Sequence, residues 1–112
     1  MITIERLKEL GCNTDEGLAR CIGDVGFYMD LLPQAFQKER YEKLEKLIKD
    51  KKYDDAFAEA HALKGVLANL SLDPVFEPVS KITEALRSRT DMDYSGLIVE
   101  MWERFSMFEK EL

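Results

Sequence analysis

Residues 54–71, DDAFAEAHALKGVLANLS, carry the clearest pattern in this 112-residue chain. At about 100° per residue, two alanines and three leucines of this stretch share one stripe of an α-helix. These positions are Ala56, Ala60, Leu63, Leu67 and Leu70. The spacing predicts a helix from about Tyr53 to about Leu70 that buries this stripe in a core.

The single histidine of the chain, His61, falls on the other side of this helix. It lies roughly 140° from the centre of the apolar stripe, so we expect it to face water. The residues on its side are Ala58, Lys64, Gly65 and Ala68. They predict a low surface around the imidazole, with one cation a turn further on.

Gly65 requires an explanation, because glycine inside a helix costs about 1 kcal/mol relative to alanine. A side chain at this position would crowd anything attached to, or docked over, His61 one turn earlier. An exposed imidazole is largely neutral near pH 7 and can act as a nucleophile. The cation of Lys64 would stabilise an anion that arrives there, and a phosphoryl group meets these requirements.

Helix start signals continue on the N-terminal side of the stretch. Thr3 is placed to cap a first short helix, and Asn13 or Thr14 a second, in which Leu18 and Ile22 form the apolar pair. A long helical segment follows up to about residue 50. Pro33 predicts a kink or a restart within it, because proline lacks the amide hydrogen that an inner turn needs.

The C-terminal side predicts two more amphipathic helices. Asp73 as N-cap with Pro74 at the first helical position starts one of them, and Asp93 caps the other. The apolar positions of the first are Val75, Val79, Ile82 and Leu86. Those of the second are Leu97, Met101, Phe105, Phe108 and Leu112.

Four long amphipathic helices joined by short connections favour an all-α fold. We expect an antiparallel up-down four-helix bundle whose short N-terminal helices close one end. Residues 1–112 should form a single domain, because a chain of this length and 46% hydrophobic content can bury one core.

Charge and composition exclude several classes of function. A net charge of −6 disfavours nucleic acid and anionic membrane surfaces as partners. Cys12 and Cys21 do not make a disulfide framework, so they are interpreted as free thiols in a reducing, cytoplasmic compartment. They have no histidine nearby, which disfavours a zinc site. The chain has no glycine-rich phosphate loop after a strand, so ATP binding and autokinase activity are not expected.

The run His-Ala-Leu-Lys-Gly at residues 61–65, on the second long helix of a predicted bundle, resembles the histidine-containing phosphotransfer (HPt) domain of bacterial phosphorelays. The resemblance extends over nearly the whole chain, although family members commonly carry glycine where this chain has Ser71. It implies that His61 is the phosphoacceptor, that Lys64 balances the phosphoryl charge and that Gly65 admits the group.

The resemblance also implies a carrier function without enzymatic activity of its own. His61 would accept a phosphoryl group from a receiver-domain aspartate or a hybrid histidine kinase and pass it to a response-regulator receiver. The partner receiver would bring the magnesium ion, and this chain would bind no cofactor. We expect a free-standing cytoplasmic monomer that docks the receiver on Phe57, Ala58 and Ala68.

Two other classes of function are compatible with parts of the pattern. A four-helix adaptor could bind receiver or kinase domains without exchanging phosphate. A hydrolytic or metal enzyme is disfavoured, because a single histidine leaves no multi-histidine site. Taken singly, a histidine, a lysine or a glycine on a helix is usually structural or solvated, and only their joint spacing favours phosphotransfer.

Overall fold

A computed structural model describes residues 2–112, which fold into helices without any strand. These residues contain seven helices: α1 (Ile4–Glu9), α2 (Thr14–Arg20), α3 (Val25–Ala35), α4 (Lys38–Lys49), α5 (Tyr53–Asn69), α6 (Asp73–Arg87) and α7 (Ser95–Glu109). The predicted all-α class is therefore confirmed. None of these helices has the length and apolar character needed to cross a membrane.

The two N-terminal helices begin at the side-chain caps that the sequence indicates. Thr3 Oγ1 accepts a hydrogen bond from an amide of the first turn of α1 at 3.1 Å, and Asn13 is the N-cap of α2. The prediction for Ile22 is wrong, because this residue lies beyond α2 with a left-handed backbone (φ 57°) and is 96% exposed. The buried residues of α2 are Thr14 and Gly17, and a Cβ atom on Gly17 would lie only 2.7 Å from the carbonyl oxygen of Leu70.

The interruption predicted at Pro33 is present, and it is a restart of the helix. Pro33 itself lies inside α3, which ends at Ala35, and α4 begins at Lys38. Phe36, in the break, is buried, and its ring stacks on that of Phe108 with 5.2 Å between the centroids. The packing of this aromatic side chain holds the corner between the two helices.

The predicted N-caps of α6 and α7 are each displaced by one residue. Leu72 is the N-cap of α6, and its apolar side chain makes no capping hydrogen bond. Asp73 is the first helical residue, and its Oδ2 atom accepts from the amide of Asn13 at 3.2 Å. Tyr94 is the N-cap of α7. Asp93 still serves the start of α7, where its Oδ1 atom accepts from the amide of Ser95 at 2.9 Å.

The core lies along α5, which packs against α3, α4 and α6, while α6 packs against α7. The predicted stripe of α5 and that of α6 are buried throughout. Leu112 was expected to extend the stripe of α7, but it lies past the end of the helix and is 49% exposed. Because the buried side of α5 faces three other helices, its opposite side is the surface on which a site can form.

Candidate functional site

His61 lies near the middle of α5 on its exposed side, as the helical period predicts. Its ring stacks on that of Phe57, one turn earlier, with 5.5 Å between the ring centroids and an interplanar angle of 23°. Phe57 is half-buried against the core. The Phe57 ring therefore packs against one face of the imidazole, and the histidine side chain stays exposed.

Lys64, one turn after His61, is held by an ion pair to the next helix. Its Nζ atom lies 3.1 Å from Oε2 of Glu84 on α6, and its side chain is 27% exposed. Glu84 lies 20 residues after Lys64 in the chain, so the helical pattern of α5 gives no sign of this pairing. The hydrogen bond from Lys64 is the main cause that lowers the pKa of the Glu84 carboxyl, and the charge of Arg87 adds to it.

Arg87, in the last turn of α6, is a second cation at the site. Its Nε atom lies 3.3 Å from Oε1 of Glu84. Its guanidinium carbon lies 4.9 Å from the centroid of the Phe57 ring, in a cation–π arrangement. The three-residue spacing of Glu84 and Arg87 predicts their pairing on α6, but not their position beside α5.

These contacts link five side chains of α5 and α6, which we call the α5–α6 cluster: His61, Phe57, Lys64, Glu84 and Arg87. Lys64 and Arg87 both pair with the carboxylate of Glu84. Lys64 follows His61 by one helical turn, and Arg87 contacts the Phe57 ring on which His61 stacks. The cluster therefore brings two cations and one carboxylate to the same exposed surface of α5 and α6 as His61.

Gly65 lies beside His61 in open space. A Cβ atom built on it would have no heavy atom within 4 Å outside its own helix. No neighbouring helix therefore requires glycine at this position. Gly65 also lines a groove of about 510 Å³ between α3 and α5. The lining residues are Leu31, Gln34, His61, Ala62, Gly65, Val66, Asn69 and Leu70.

The three residues predicted to bind a partner occupy different parts of α5. Phe57 is in direct contact with His61, whereas Ala58 and Ala68 are exposed on the helix surface. Ala68 lies about two turns from the histidine. Its carbonyl oxygen accepts a hydrogen bond from Arg20 of α2 at 2.9 Å.

The acidic residues and thiols do not assemble a metal-binding cluster within residues 2–112. Cys12 and Cys21 are buried, unpaired thiols. Burial raises the pKa of the Cys12 thiol to about 12, so it is protonated at neutral pH and a poor metal ligand. That the chain binds no cofactor stays a prediction.

A family model described as the Hpt domain matches residues 34–106, which is more than half of the chain. The chain belongs to the Hpt domain family. The match runs from the end of α3 into α7 and contains the whole α5–α6 cluster. Comparisons with curated proteins and with solved structures found no match. Hpt domains act as phosphotransfer carriers in phosphorelays, where they interact with receiver domains and kinases.

Proposed function

We propose that this Hpt domain carries a phosphoryl group on His61 between the aspartates of two receiver domains, or from a hybrid kinase to a receiver. The observation that supports this most directly is the accessible imidazole with open space at Gly65 and the Lys64 cation one turn away. Carriage on a histidine needs these three properties together, because the nucleophile must be accessible, the group must fit and its charge must be balanced.

The proposed transfer needs no base from this chain. The unprotonated ring nitrogen of His61 attacks the phosphorus of an aspartyl phosphate, and an N–P bond forms as the P–O bond breaks. The electron pair leaves on the aspartate carboxylate, and the reverse step passes the group to the next receiver. Lys64 and Arg87 offset the phosphoryl charge, while the magnesium ion and the remaining catalytic groups come with the receiver.

The proposed receiver-docking surface surrounds His61. It combines the predicted contacts Phe57, Ala58 and Ala68 with the groove between α3 and α5, where Leu31 and Val66 supply apolar area. A receiver that brings its aspartyl phosphate to the imidazole must cover this groove, because His61 is one of the lining residues. Small and apolar side chains permit the close approach that in-line transfer requires.

We further propose that α4 to α7 form the expected antiparallel up-down bundle within a single domain of residues 1–112, closed at one end by the short N-terminal helices. The connections between these four helices contain three, three and seven residues. Connections this short favour antiparallel neighbours.

The test of the carrier function is the variant His61→Gln, incubated with a phosphorylated receiver that carries labelled phosphate. An exposed substitution typically changes stability by less than about 0.5 kcal/mol, so the variant should keep its helical content and urea midpoint. The wild type should take up label and the variant none. Label on the folded variant would show that another residue accepts the group, and a wild type that binds the receiver without label would favour the adaptor.

A further inference from the structure

Glu84 is placed between the only two cations of the α5–α6 cluster. Its Oε2 atom accepts from Lys64 Nζ of α5 at 3.1 Å, and Arg87 Nε of its own helix donates to Oε1 at 3.3 Å and to Oε2 at 3.5 Å. Lys64 follows His61 by one helical turn, and Arg87 contacts the Phe57 ring on which the imidazole stacks. In the unphosphorylated protein, one carboxylate therefore occupies the cations that a phosphoryl group would need.

A phosphoryl group on His61 would compete for the same cations. Such a group carries a charge of about −1.5 to −2 and three strong acceptor oxygens, against the single charge of the carboxylate. Glu84 is 52% exposed, so it can turn to water when the cations are taken from it. Lys64 and Arg87 can thus pair either with Glu84 or with the phosphoryl group, and each pairing weakens the other.

We propose that Glu84 is a positioning residue that competes with the phosphoryl group for Lys64 and Arg87, which limits the lifetime of the phosphohistidine and keeps the group transferable. This inference rests on the proposed function of His61. A carrier must release its cargo, and contacts that stabilise the bound group more than the transition state slow the next transfer. An anion at residue 84 weakens such contacts without removing the cations.

The experiment uses phosphoramidate as a small phosphoryl donor, so that no receiver contributes to the result. The His61 nitrogen forms a bond to phosphorus as the P–N bond of phosphoramidate breaks, and ammonia leaves. After removal of the donor, water attacks the phosphohistidine, its P–N bond breaks, and inorganic phosphate is released. The half-life of the labelled protein is measured for the wild type, Glu84→Gln and Glu77→Gln.

Glu77→Gln is the matched control, because Glu77 lies two turns earlier on α6 and its ion pair is with Arg104, at 3.7 Å. Both variants remove one negative charge. Glu84→Gln also removes two exposed ion pairs, and Glu77→Gln removes one. Glu84→Gln should lengthen the half-life by about two- to fivefold, the range of an exposed charge interaction. Glu77→Gln should leave it unchanged.

A double-variant comparison tests whether Glu84 acts through the two cations. Lys64→Ala should shorten the half-life, because a cation is lost beside an anion. In a Lys64→Ala/Arg87→Ala background, Glu84→Gln should no longer lengthen it, since the competition has been removed. A merely structural role for Glu84 would not depend on these two residues in this way.

The outcomes separate the two proposals. A wild type that takes up no label from phosphoramidate or from a phosphorylated receiver overturns the proposed function of His61. Label on the wild type with an unchanged or shorter half-life in Glu84→Gln overturns the role of Glu84 alone. Equal lengthening in Glu84→Gln and Glu77→Gln also overturns it, because net charge would then account for the effect.

Discussion

Gly65, inside α5, and Ser71, just after it, are the reverse of what backbone conformation alone predicts. Glycine is expected at a left-handed residue and a residue with a side chain inside a helix. Gly65 has a helical backbone that any residue can adopt, and open space beside it. Ser71 has φ 53°, in the left-handed region that favours glycine. Its hydroxyl lies 2.6 Å from Nη1 of Arg20, which donates to it, and this contact is a reason for a side chain there. The backbone conformation therefore gives no reason for glycine at position 65, and access to His61 is the explanation that we propose.

The stability of Gly65→Ala tests this explanation. Because the added Cβ atom meets nothing outside its own helix, the variant should gain helix propensity and lose unfolded-state freedom. Its free energy of unfolding should rise by up to about 1 kcal/mol. The urea midpoint measures this change.

Gly65→Gln separates stability from transfer at the same position. Its side chain should be tolerated by the fold but should lie over the imidazole and slow transfer from a phosphorylated receiver. Ala19→Gln, at an exposed position of α2, is the control for a glutamine on a helix surface. A destabilised Gly65→Ala together with an undiminished transfer rate in Gly65→Gln would make the glycine a packing feature.

At the scale of the elements, four helices end in the same backbone arrangement without glycine. The residues with a left-handed backbone are Ile22, Lys51, Ser71 and Arg89, with φ between 52° and 58°. In each case the next amide donates to a carbonyl five residues earlier, as Lys52 does to Leu47 at 2.9 Å. This is the Schellman motif, which usually carries glycine at the left-handed position.

Lys51→Gly should therefore stabilise the end of α4. Lys51 is exposed and has φ 58°, so glycine relieves the steric cost of a Cβ atom without loss of packing. The urea midpoint should increase, by an amount equivalent to up to about 1 kcal/mol. Lys51→Ala keeps the Cβ atom and should show no such gain. Equal effects of the two substitutions would assign the change to loss of the lysine side chain instead.

At the scale of the whole molecule, the first helix is linked to the end of the chain. Arg6 Nε lies 2.7 Å from Oε1 of Glu111, and both residues lie outside the matched range 34–106. Leu7 and Tyr28, also outside this range, are buried in the core cluster that includes α5. These contacts favour the proposal that the whole chain folds as one domain.

The Arg6–Glu111 pair predicts a pH-dependent part of the stability. The hydrogen bond from Arg6 lowers the pKa of the Glu111 carboxyl in the folded chain. The contribution of this ion pair to the free energy of unfolding is therefore complete above the ordinary glutamate pKa of about 4.3. It is lost as the pH falls through the lowered pKa of Glu111. The urea midpoint of Glu111→Gln should be lower than that of the wild type at pH 7, and the two should converge in acid.

Glu9→Gln is the control for this measurement, because Glu9 lies 3.7 Å from Arg6 and is more exposed. Its effect on the urea midpoint should be smaller at pH 7. A difference between Glu111→Gln and the wild type that persists unchanged in acid would show that packing, rather than charge, is responsible.

The sequence by itself determined the features that depend on the local helical period. The course of α5, its buried stripe and the exposure of His61 follow from the spacing of its alanines and leucines, because a regular helix turns by the same angle at every residue. The spacing of Lys64 and Gly65 from the histidine is likewise a property of one helix. The pattern failed at Ile22, which lies past the end of α2 in a left-handed conformation instead of on the apolar side of the helix.

Only the tertiary structure decided which side chains of other helices surround the histidine. Glu84 and Arg87 reach the site because α6 packs against α5, and Leu31 forms the groove because α3 does so too. The sequence pattern of α6 predicts which of its residues are buried, but it does not predict which neighbouring helix its exposed side chains contact. That pairing depends on how the two helices are placed against each other, and packing between helices sets this placement.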